Sequence, residues 1–253
     1  MSLAQRLARI QEQIAASCRR AGRAERDVAL MAVSKTHPAS AVVEAYAAGM
    51  RLFGENRVQE WQEKLLAFTR PLDAQFHLIG PLQSNKTARA AEIFDAIDAV
   101  DSLKIAARLD VAARALGKRL PILIEVKLSH EESKHGIAVG GLAALLASLV
   151  PLESLIPAGL MTVPPWDADP ESARLYFRQL RQLRDASLPH CPTLTQLSMG
   201  MSGDFAVAIE EGSTCIRIGT ALFGKRPYSA TPPQPTRRSS SSSSSISPSE
   251  SAR

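Results

Sequence analysis

The sequence predicts an α/β chain folded as a single (β/α)8 barrel of the TIM type. Three observations predict it. Eight apolar runs of strand length alternate with helix-patterned segments across residues 1–228. Their summed length suits a barrel, which usually takes about 250 residues. Polar or small residues recur just past the ends of the runs, where a barrel gathers its functional loops. An open doubly wound sheet is the alternative, but eight units fit a barrel and no GxGxxG follows the first run.

The elements follow in order. Leu3, Leu7, Ile10 and Ile14 recur at helical spacing and open the chain with an amphipathic helix. VALMAV at 28–33 is an unbroken apolar run, as expected of a strand buried on both faces. A helix follows over 39–50, opened by Pro38 and closed near Gly49. Strands at 51–56, 75–80 and 96–101 alternate with helices at 58–68, 85–94 and 102–116, the last ended by Gly117. PILIEVKL at 121–128 is the fifth strand, before a helix at 142–150. A strand at 155–163 precedes a helix at 171–187, and a strand at 193–199 precedes a helix at 204–211. Residues 213–218 form the eighth strand.

Composition narrows the function classes. The chain is 45% hydrophobic and 22% charged, enough to build a sizeable core. Its net charge of +5 resembles a nucleic-acid signal until it is located. Residues 225–253 hold five basic groups against Glu250, so the rest of the chain is nearly neutral and no basic stripe argues for nucleic acid. No apolar run approaches the ~20 residues of a spanning helix, so no membrane partner is expected. Arg6, Arg9 and Glu12 stand where a secretion signal needs an apolar core. Three widely spaced cysteines exclude a disulfide scaffold, and a cytoplasmic location is expected. Residues 229–253 include 11 Ser and 4 Pro and are expected to be a disordered tail.

The polar residues that end the strands converge on one mouth in a barrel. Lys35 closes the run LMAVSK, so its amine is expected at that mouth. Loss of solvation there would lower its pKa and free it as a nucleophile toward an aldehyde. A lysine reaching out to solvent is the alternative. The seventh and eighth strands end in Ser198-Met199-Gly200-Met201-Ser202 and Gly219-Thr220. Glycines let backbone N–H groups approach an anion, hydroxyls add donors, and these two loops commonly hold a phosphate in this fold. Tight-turn glycines are the alternative. Arg217, two residues before Gly219, shares its side of the strand and either pairs with a carboxylate such as Glu125 or donates to a ligand. A nucleophilic lysine, a phosphate cradle and an arginine facing a ring together suit pyridoxal 5'-phosphate (PLP). An arginine only donates, so it would leave the pyridine nitrogen unprotonated and the ring a weak electron sink.

With those residues in view, the sequence resembles the pyridoxal phosphate homeostasis proteins, whose barrel is similar to the N-terminal domain of alanine racemase. The resemblance is carried by AVSKTHP (32–38), FGENRVQE (53–60), FHLIGPLQSNK (76–86), SKHGI (133–137), GLMTV (159–163), LSMGMSGDFAVAI (197–209) and STCIRIGTALFG (213–224). It implies a fold-type III PLP-binding barrel in which Lys35 forms the Schiff base. It also places Asn56 near the cofactor, Ser198, Gly200, Gly219 and Thr220 at the phosphate, and Arg217 at the pyridine nitrogen. His37 and Gln75 depart from the pattern, where a basic residue and an aromatic are common.

Racemisation on PLP usually needs two bases, and the alanine racemases take the second, a tyrosine, from an additional β-domain. Here Tyr228 follows the last barrel unit with nothing to fix it in place. The expectation is therefore a non-catalytic, monomeric binder that buffers PLP or delivers it to apo PLP-dependent enzymes, with indirect effects on amino-acid and keto-acid balance. Lys134, in SKHG, is a candidate second amine for transfer, with a solvated loop lysine as the alternative. A weak amino-acid racemase and a cofactor-free Schiff-base aldolase are the competing functions.

Overall fold

Strands built from unbroken apolar runs have two faces to bury, and a closed parallel sheet wrapped in helices buries both. The computed structural model describes residues 1–129, 131 and 135–224, and they take that form. The strands are β1 (Ala29–Val33), β2 (Leu52–Glu55), β3 (Gln75–Leu78), β4 (Ala96–Val100), β5 (Leu120–Lys127), β6 (Ile137–Ala138), β7 (Leu155–Met161), β8 (Gln196–Ser198) and β9 (Cys215–Ile218). Eight of them pair in parallel around a ring, β5 running directly to β7 and β9 closing on β1. The two-residue β6 pairs with β5 outside the ring.

The helices are α1 (Leu3–Ala21), α2 (Ala39–Ala47), α3 (Val58–Leu65), α4 (Thr87–Ile93), α5 (Leu103–Ala115), α6 (Leu142–Leu149), α7 (Arg174–Ser187), α8 (Phe205–Glu210) and α9 (Thr220–Phe223). The expected alternation is present in full. The two additions, β6 and α9, are too short to leave a periodic pattern. The expected helices at 85–94 and 171–187 begin as 3-10 turns, Ser84–Lys86 and Pro170–Ala173. The β2, β3, β4 and β7 ladders stop one or two residues before their expected ends, while β1, β8 and β9 begin later than expected.

The side chains of a strand alternate between two layers. Ile216 and Ile218 join the large core between sheet and helices, while Cys215 and Arg217 face the barrel interior. That interior holds a small apolar cluster of Ala99, Leu123, Ala158 and Met161 beneath its polar residues. A bulge in β4, between Ile97 and Val100, breaks the alternation there. In the outer core Trp61 stacks on Phe76 at 4.3 Å, and Phe76 on Phe53 at 5.0 Å.

Helix α1 precedes the repeating units. Ser2 and Gln5 form a capping box at its start, and Gly22 (φ 63°) ends it in the left-handed conformation. Its apolar stripe of Leu3, Leu7, Ile10 and Ile14 is buried, and it lies against α8 and α9. Arg6 donates to the carbonyl of Leu222, and Arg23 to that of Ile209 at 2.7 Å. No helix among the described residues is long and apolar enough to cross a membrane. The serine-rich segment 229–253, residues 225–228 and Lys134 lie outside the described residues.

Candidate functional site

A cavity of about 570 Å³ opens among the loops at the C-terminal ends of the strands. Lys35, Asn56, Arg217, Gly219 and Thr220 all line it, so five of the seven expected site residues meet there. The volume falls within the ordinary range of small-molecule sites.

Lys35 is half-buried and follows the last paired residue of β1 in a tight turn. The Ser34 N–H donates to the carbonyl of Gly54, and the His37 N–H to that of Ser34, which folds the backbone back at this point. Thr36 has φ 66°, the left-handed region that β-branched residues seldom adopt. Asn56 sits past the end of β2, and its seat depends on a glycine. A Cβ on Gly80 would stand 2.4 Å from both the carbonyl and the side-chain oxygen of Asn56. No larger residue fits without moving Asn56.

Arg217 forms the floor and is only 4% exposed. One guanidinium nitrogen donates to Ser198 Oγ and the other to the carbonyl of Thr162, each at 2.8 Å. Burial pulls its pKa below the ordinary guanidinium range, and Asp98, Glu125 and Asp204 oppose that through their charges. The pairing with Glu125 that the sequence suggested is thus an influence through space, and the hydrogen bonds go elsewhere. The neighbouring Cys215 thiol is pushed up by burial to about 12, so it is no nucleophile at neutral pH.

Ser198 and Gly200 precede the cavity-lining residues Met201, Ser202, Gly203 and Asp204 on the segment between β8 and α8, and their role at a phosphate is a proposal. Ser198 still lies in the β8 ladder and turns into the fully buried interior, where it holds Arg217. Gly200 (φ 96°) packs under α8, where a Cβ would stand 2.5 Å from that of Ala208. The residues of this loop that line the cavity are Met201, Ser202, Gly203 and Asp204. Ser202 Oγ accepts from the Ala221 N–H at 3.3 Å, which joins the loop after β8 to the start of α9.

His77 Nδ1 lies 3.1 Å from a carboxylate oxygen of Asp98. Burial alone would lower the His77 pKa, but the Asp98 charge and hydrogen bond outweigh it and the net shift is upward. A raised histidine stabilises the fold fully below its unfolded value, near ~6.5, and that contribution is lost as pH rises through the folded value. The melting-temperature gap between wild type and Asp98→Asn is therefore expected to be wide near about pH 6 and to narrow by about pH 9. A gap that stays constant across that range would refute the pair's role.

The comparisons with known proteins agree with this geometry. Residues 6–227 match the family model for the alanine racemase N-terminal domain. The pyridoxal phosphate homeostasis protein of Aquifex aeolicus is 41% identical over 90% of this chain and all of its own. The protein of that name from Escherichia coli K12 is 42% identical over 90% of this chain and 98% of its own. PipY of Synechococcus elongatus, solved with PLP bound, superimposes with a TM-score of 0.79 at 41% identity, covering 88% of this chain and all of PipY. Alanine racemase from Clostridium difficile shares the fold alone, with a TM-score of 0.66 at 12% identity, covering 86% of this chain and 57% of its own. With the match running across the barrel and both strand-end loops, the chain belongs to the alanine racemase N-terminal-domain family and, within it, to the pyridoxal phosphate homeostasis proteins.

Proposed function

We propose that this protein binds PLP, holds it covalently through Lys35, and serves in buffering and supplying it rather than in turning over a substrate. The observation that carries the reading is the meeting of one amine, one buried guanidinium and two small-residue loops on a single cavity. The names of the relatives and the PLP-bound PipY structure support it. In this reading the Lys35 Nζ holds the aldehyde carbon as a Schiff base. Arg217 donates toward the ring nitrogen and Asn56 contributes a polar contact. Ser198, Gly200, Gly219 and Thr220, on the loops that end β8 and β9, hold the phosphate. Bound PLP would supply an electrophilic imine carbon, and an arginine partner keeps its ring a poor electron sink.

The proposed partners are PLP and the apo forms of PLP-dependent enzymes, with the protein itself a monomer. Free thiols at Cys18, Cys191 and Cys215 support a reducing, cytoplasmic setting. A weak amino-acid racemase is the second reading, because Glu125, His37 and His135 put titratable groups on the same cavity wall. A spectral titration with PLP tests the first. Wild type is expected to develop a band near ~420 nm that Lys35→Ala lacks. Deuterium exchange at the alanine α-carbon is expected to be no faster than with free PLP. A band that survives Lys35→Ala overturns the covalent reading, and accelerated exchange moves the assignment to the racemase.

A further inference from the structure

We propose that Glu55, Glu60 and Lys64 act as positioning residues, a buried ionic brace that holds the Lys35 turn in the conformation that presents its amine to the cavity. The proposal rests on the Lys35 reading above. Lys64, on α3, is buried, and its ammonium spends all three donors: on the Ser34 carbonyl at 2.9 Å, on Glu55 at 2.7 Å and on Glu60 at 2.9 Å. The Ser34 hydroxyl donates to the same Glu55 oxygen at 2.6 Å. Glu60 accepts from the Thr36 N–H. Lys35 is therefore gripped on both sides, by its predecessor's carbonyl and hydroxyl and by its successor's amide.

Two features make this more than ordinary packing. The first is its composition. Two carboxylates and one ammonium are placed between sheet and helix, and Glu55 is fully buried with one oxygen that has no hydrogen-bond partner among the described residues. Apolar side chains of similar volume commonly stabilise such a place as well or better, whereas a network of this kind fixes one geometry. The second is where it acts. Thr36 holds a positive φ, and such strain persists only where the surroundings over-determine it. Through its side chains the brace bonds directly to that residue and to Ser34, the two neighbours of Lys35.

The test uses the full chain with PLP as the probe. Lys64→Met alone strands a buried carboxylate and risks unfolding. The informative variant is the double Glu55→Gln/Lys64→Met, which removes both charges and keeps an acceptor for Ser34. It is expected to unfold cooperatively near the wild-type temperature while its Kd for PLP rises about tenfold or more and the ~420 nm band forms more slowly. Thr36→Gly, which relaxes the turn without touching the brace, is expected to fold and to show the same weakened capture. A folded double variant, or a folded Thr36→Gly, that takes up PLP with wild-type Kd and rate overturns the proposal. Absence of the band in wild type overturns instead the Lys35 reading on which it rests.

Discussion

Arg217→Leu is expected to lose most of its affinity for PLP and to melt on the order of 10 °C below wild type. The guanidinium is a clamp as well as a ligand group. It ties β9 to β8 through Ser198 and to the end of β7 through the Thr162 carbonyl, and Thr162 in turn donates to the Val126 carbonyl of β5 at 2.9 Å. Leucine would leave a buried hydroxyl and a buried carbonyl without their donor and would strip the interior of the cation that faces Asp98. Breaking a buried charged arrangement from one side usually costs about 3–5 kcal/mol. A domain of this size loses roughly 2–4 °C per kcal/mol. Arg217→Lys separates the two roles, since it keeps the charge but not the two-pronged donor. It is expected to recover more of the melting temperature than of the PLP affinity. Unchanged thermal stability in Arg217→Leu would refute the clamp.

Trp61→Ala is expected to destabilise the protein by about 3–5 kcal/mol, read as a lower urea midpoint at constant slope. The ring is wholly buried, stacks on Phe76 and lies near Phe68 and Phe94. Its Nε1 donates to the Ile93 carbonyl at 3.2 Å, so truncation opens a cavity and removes one of the two donors to that carbonyl, Arg70 being the other. The same helix, α3, carries Glu60 and Lys64. Loosening it should also weaken PLP capture, in proportion to the lost stability. A loss below about 1 kcal/mol would mean that the site collapses to fill the gap.

The eight strands were legible because burial on both faces leaves runs such as VALMAV, which no amphipathic surface element would tolerate. Lys35 was legible for the same reason, as the first charge after such a run. The bond from Arg217 to Ser198 was not, because it depends on where the β8 ladder ends and so on which hydroxyl faces the interior. His77 and Asp98 lie 21 positions apart, and only the β3–β4 register brings them together. The β4 bulge, which lets both Asp98 and Ala99 face inward, leaves no mark in composition. Lys64 reads in sequence as the partner of Glu60 one helical turn away, an ordinary solvated pair. Its burial beneath the Lys35 turn is a tertiary fact.

The pairing of β9 with β1, and the contacts of α1 with α8 and α9, join the elements that open the barrel to those that close it. A nascent chain that has not yet released residues 205–223 has an N-terminal helix with no surface to dock on and a first strand with an open edge. Unpaired edges and bare apolar stripes are what aggregation and chaperone capture act on. A chain lacking residues 205–223 is therefore expected to stay an unsealed cylinder, with β1 offering the partnerless edge that β9 otherwise closes.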